Sequence, residues 1–193
     1  MKLKALLAKQ ADIIVERWFD AVAAQYPPDT SSFLKNRQDP FHNPVRANTV
    51  DALKKMTAAL LGDMDPEAVK KAVDPAIRIR AVQRFSAAES IAFIFTVKQV
   101  FTSLLEAEFP EFREEKSLWR QYQALDRRVD KVALIAMDVY TECREKLYHL
   151  KNHMEREGVY KAFRRAGLVQ EDPDGAKIEI PARCHEDGAS GNC

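Results

Sequence analysis

Gly62 is the only glycine before Gly158 in this chain of 193 residues, and the other five glycines all lie in the C-terminal stretch. A body built this way has almost no backbone-permissive loops. Dinucleotide fingerprints and phosphate-cradling loops need several closely spaced glycines, so neither can exist before residue 158. Proline supplies the punctuation instead. Asn43-Pro44, Asp65-Pro66 and Asp74-Pro75 each place a side-chain acceptor before a proline that has no N–H to lose at the first helical position. Helices launched in this way, in quick succession, imply tight corners.

The apolar spacing between these marks is helical throughout, which makes the fold class all-α, a single helical-bundle domain with a long C-terminal helix and a polar tail. Leu7, Ala11, Ile14, Trp18 and Val22 form one stripe over about Leu3 to Tyr26, where Pro27-Pro28 stops it. A connector from Asp29 to His42 has room for one turn around Phe33 and Leu34. A helix from Pro44 to Leu61 presents Val45, Thr49, Leu53, Met56 and Leu60. Two short helices follow, to about Val73 and Arg84. Ser86-Ala87-Ala88-Glu89 fits a capping box and opens a central helix to about Glu108, apolar around most of its circumference from Ile91 to Leu105.

From Phe112 to Glu157 there is neither proline nor glycine, so one long helix or two abutting ones are expected. Val129, Val132, Ala136, Val139, Cys143, Leu147, Leu150 and Met154 alternate three- and four-residue steps, a heptad seam open to the same domain or to a second copy. Glu142 and Lys146 suit an i,i+4 pair. Gly158 is expected to set off a last short helix, Val159 to Ala166, before a polar tail. The domain reading is therefore 1–109 for the helical domain, 110–167 for the long and short helices, and 168–193 for a flexible tail.

Charge and cysteine content narrow the setting. With 30 basic and 29 acidic residues the net charge is +1, which offers no field to attract nucleic acid. Lys9, Gln10 and Asp12 interrupt the apolar start before it resembles a signal peptide. The strongest apolar run, Ile91 to Phe95, falls short of the roughly 20 residues of a membrane span. Three cysteines, Cys143, Cys184 and Cys193, form no disulfide framework, and a reducing cytoplasmic location is expected.

Four groups of residues invite a chemical reading. Phe41 and His42 border the start of the Pro44 helix, a position that can hold an anion, although every residue there except His42 also has a folding task. Arg80 and Arg84 lie one turn apart, with Arg78 well around the helix; they either pair with carboxylates bordering the core or clamp an acidic ligand or partner. His149 and His153 have two-ligand spacing, but no further ligands are identifiable and no Glu follows His149, so solvated histidines are expected and no metal is assigned. Cys184, His185 and Cys193 lack the paired spacing of a zinc or haem-attachment motif. No nucleophile with a base and no poised carboxylate pair stands out, so no enzyme activity, catalytic residue or cofactor is assigned.

Asp39-Pro40-Phe41-His42-Asn43-Pro44-Val45, together with Ile77-Arg78-Ile79-Arg80-Ala81-Val82-Gln83-Arg84-Phe85-Ser86, resembles the N-terminal domain of RsbRD-type RsbT co-antagonist proteins. The first motif follows Asp-Pro-Phe-x-Asn-Pro-Val, which leaves His42 at the variable position with no inherited role. The resemblance covers roughly residues 5 to 107. It implies a bacterial sensory or regulatory domain of stress signalling, with a helical fold similar to globins without haem. Relatives of this kind lead by a helix into a STAS domain that engages a switch kinase. Here 193 residues leave no room for one, and kinase capture is not carried over.

The leading expectation is a non-catalytic regulatory module acting through protein contacts with an unidentified partner, dimeric through a seam at Val132, Val139, Leu147 and Leu150. The alternative is a globin-like carrier or sensor of haem or another small ligand.

Overall fold

Side-chain caps set the helix starts where the sequence puts them. Asn43 Oδ1 accepts the backbone N–H of Arg46 at 3.0 Å, and Asp65 Oδ2 accepts that of Ala68 at 2.9 Å. Ser86 and Glu89 close a complete capping box, each accepting the other's backbone N–H. The computed structural model describes residues 2–36, 43–83 and 85–166. Among these there are helices α1 (Lys2–Lys9), α2 (Ala11–Ala23), α3 (Pro28–Lys35), α4 (Pro44–Leu61), α5 (Pro66–Val82), α6 (Ala87–Glu108) and α7 (Lys116–Arg165), and no strand. The fold is all-α.

The structure differs from the sequence reading at three joints. The first expected helix breaks at Gln10 into α1 and α2, a break that lets Leu3 and Leu7 reach the core while α1 packs on α2 and α4. The two helices expected on either side of Asp74-Pro75 are one helix, α5, with Pro75 in its interior. Burial of Val69, Ala72, Val73, Ala76 and Ile77 along one face carries the helix past the missing N–H. Asp74, expected as a cap, instead pairs with Arg78 at 2.6 Å. Likewise α7 runs through Gly158 to Arg165, with no separate terminal helix.

The chain divides into two compact units, 1–149 and 150–193. In the first, α4 packs against α2 and α5, and α6 packs against the same two helices. The core they enclose is filled by Trp18, Phe93, Phe101, Leu53, Met56 and Ile77. Trp18 Nε1 donates to the Phe93 carbonyl at 2.8 Å, which ties α2 to α6 without leaving the indole N–H orphaned. By length and composition α6 is apolar enough to cross a membrane, yet half of that window is buried among the other helices.

The part of α7 within this unit contributes Leu118, Leu125, Val129, Val132, Ala133, Ala136 and Val139 to the same core. Residue 109 is therefore no boundary of packing. Long side chains complete the attachment. Arg128 Nη1 donates to the carbonyls of Leu60 at 2.8 Å and Gly62 at 2.6 Å, where the end of α4 would otherwise leave acceptors unmet. Lys98 bridges Asp126 at 3.0 Å and Asp130 at 2.7 Å. Glu142 pairs across to Lys70 of α5 at 2.7 Å, where an i,i+4 pair with Lys146 was expected.

In the second unit, the described residues 150–166 are helix and turn with exposed apolar side chains at Leu150, Met154, Val159, Tyr160 and Phe163. His153 meets Glu157 at 3.2 Å on the same segment. Cys184, His185 and Cys193 lie outside the described residues.

Candidate functional site

The ends of α2, α5 and α6 converge on Arg80. A helical stripe running Val69, Ala72, Val73, Ala76, Ile77 and Arg80 puts this arginine on the buried face of α5, in its last turn, and the residue is only 3% exposed. Nη1 donates to the Glu89 carbonyl at 3.0 Å and to Gln25 Oε1 at 3.2 Å. The guanidinium lies 4.6 Å from the ring centre of Phe93, 5.3 Å from Tyr26 and 5.2 Å from Phe85. Such faces attract a desolvated cation. Tyr26 and Phe85 meet edge to face at 5.5 Å and are half-buried, whereas Phe93 is fully buried. From α7, Tyr140 donates to the Phe85 carbonyl at 2.8 Å and Arg144 to that of Ala81 at 3.4 Å.

Both partners of Arg80 are neutral oxygens. Nη2 has no hydrogen-bond partner, and no carboxylate among the described residues pairs with the guanidinium. Pairing with carboxylates at the border of the core, one of the two readings of the sequence, is thus not what holds this side chain. Burial lowers its pKa from the ordinary value, with Tyr26 opposing. An arginine nevertheless stays charged. Ser90, the residue after Glu89, also buries a hydroxyl without a partner.

Arg84, Phe41 and His42 lie outside the described residues. Arg78, on another face of α5, is exposed and held by Asp74, which raises its pKa by hydrogen bond and charge. Of the seam, Val132 and Val139 are 0% and 1% exposed within the chain's own core, so they present nothing to a second chain in this fold. Leu147 is half-buried and Leu150 is 56% exposed. The clustering of Gln25, Tyr26, Phe85 and Phe93 around Arg80 had no signal in the sequence beyond the proximity of Phe85 to the arginine motif.

Open clefts lie elsewhere. One of about 430 Å³ is bordered by Lys70, Ile135, Asp138 and Glu142, and another of about 200 Å³ by Phe19, Lys35, Arg46 and Lys54. Arg46 is occupied there, stacked 4.3 Å over Phe19 and donating to the Leu34 carbonyl at 3.1 Å. Among the described residues no three or more His, Cys, Asp or Glu side chains group as metal ligands. The described histidines, His149 and His153, are both exposed, so neither stands in the core where a haem iron would need a ligand.

Residues 12–152 match the family described as the RsbT co-antagonist protein rsbRD N-terminal domain, more than half of the chain. The chain belongs to this family. The RsbRD N-terminal match takes in the convergence on Arg80 and extends through the packed part of α7, well past the span of about residues 5 to 107 suggested by the two motifs. It places the chain with a regulatory domain of stress signalling. No curated protein and no solved structure matches the chain.

Proposed function

We infer that this RsbRD N-terminal-type chain is a non-catalytic regulatory module of the cytoplasm, which works through protein contacts made by the far part of α7 and self-associates there. The observation that carries this reading is the run of exposed apolar side chains on α7 from Leu150 onward: Leu150, Met154, Val159, Tyr160 and Phe163. A helix that buries its apolar residues up to Val139 and Cys143 then exposes Leu150 and Met154 on one side and Val159, Tyr160 and Phe163 on another, which is apolar surface a partner can cover. Leu147, Leu150 and Met154 continue the seam spacing, the pattern by which one helix takes another. The shifted carboxyls support structural roles, because Glu89 belongs to the capping box and Glu142 to the pair with Lys70.

Native mass spectrometry or sedimentation of the full chain tests the reading. The expected result is a dimer that becomes a monomer in Leu150→Glu/Met154→Glu with its helicity retained. A wild-type monomer that also captures no protein partner would remove this role.

A further inference from the structure

We propose that Arg80 is the receptor for a small monocarboxylate carried on an apolar body, admitted past Tyr26 and Phe85. A guanidinium buried to 3% exposure has lost most of its hydration, and a cation in that position is normally compensated by a carboxylate. Here the compensation comes from two neutral oxygens, both on Nη1, and from ring faces, while Nη2 has no partner. The site thus has a donor and a charge to offer. Guanidinium and carboxylate match in planar geometry, and the bond would be charge-assisted.

The surroundings select within the anions. The buried guanidinium of Arg80 carries a single charge, so a monoanion neutralises it, whereas a phosphate dianion would bring a stronger hydration shell into an aromatic setting. Phe93 forms a buried wall, and Tyr26 and Phe85 are half-buried rings between the guanidinium and the surface. Their edge contact, and the 3.4 Å contact of the Tyr26 hydroxyl with Gln83 Oε1, close this side. These rings would take the apolar body of the acid. The partnerless Ser90 hydroxyl, in the next residue after the Glu89 carbonyl that Arg80 touches, is a second buried polar group in the same part of the fold.

This goes beyond the regulatory reading by giving the module a ligand class, and it stands apart from the oligomer measurement, which does not involve Arg80. The test is titration of the full chain with benzoate, followed by thermal unfolding and calorimetry. Chloride at equal ionic strength, inorganic phosphate and benzyl alcohol serve as comparisons. The expected result is a saturable rise in Tm of roughly 5–10 °C at benzoate about a hundredfold above its Kd, little response to the three comparisons, and loss of the response in folded Arg80→Met. Arg80→Lys, which keeps the charge but not the planar fork, should bind at least about tenfold more weakly. No saturable response of the wild-type chain overturns the proposal. So does an equal response to benzyl alcohol, or a response undiminished in Arg80→Met or, if that variant does not fold, in Arg80→Lys.

Discussion

Gly62 shows how a single residue can be fixed by the space around it. A Cβ built there would stand 2.9 Å from the Ala58 carbonyl oxygen, closer than backbone atoms tolerate. The Gly62 carbonyl is also the acceptor for Arg128 and Lys4, so a shift of the turn would disturb both. Gly62→Ala is expected to destabilise the chain by about 1–3 kcal/mol, seen as a lower denaturant midpoint with an unchanged m-value. Glu89 gives a pH prediction. Hydrogen bonds from the Ser86 backbone and side chain hold its carboxyl below the ordinary range. A depressed folded pKa contributes stability that is present above the unfolded value, near about 4.3, and is lost as pH falls through the folded one. Acid titration of stability should therefore be flatter in Glu89→Gln than in wild type. Identical profiles would mean that the box carries no linkage.

At the scale of the element, the helices divide by what holds them. The start of α6 depends on its own residues, since Ser86 and Glu89 satisfy each other's amides. The middle of α5 depends on its neighbours: Pro75 breaks the local ladder, and the buried face from Val69 to Ile77 carries the helix across. The far part of α7 is held along its own surface by i,i+4 pairs such as His153 with Glu157, and its described residues include no buried one. Gly158 sits inside it with nothing within 4 Å of the position a Cβ would take. Gly158→Ala should strengthen this stretch by about 0.5–1 kcal/mol, read as slower amide exchange around residues 154–162. The capping box was legible in four letters of sequence. Continuity through Pro75 and Gly158 was not, because local propensity argues against it at both positions.

For the whole molecule, the seam illustrates how one pattern serves two ends. Val132, Val139 and Leu150 share a periodicity that does not say what will cover them. The fold covers the first two itself and leaves Leu150 exposed. Val139→Asp is therefore expected to unfold the first unit, because a carboxylate at a 1% exposed position has no partner. Leu150→Glu, by contrast, should leave the helicity unchanged, as circular dichroism would show. Had the seam been a dimer contact along its length, both would give folded monomers.

The sequence by itself determined the all-α class, the helix starts at Pro44, Pro66 and Ala87, and membership of the RsbRD N-terminal family, because caps, periodicity and motifs act over a few residues. Only the tertiary structure decided that Arg80 stands buried among Tyr26, Phe85 and Phe93 with no carboxylate partner among the described residues, that Glu142 reaches Lys70, and that Val139 lies in the chain's own core. Each of these joins residues far apart in the chain, from Tyr26 to Phe93 and from Lys70 to Glu142. What a charge or an apolar stripe finally faces is set by how the helices pack, and no local pattern encodes it.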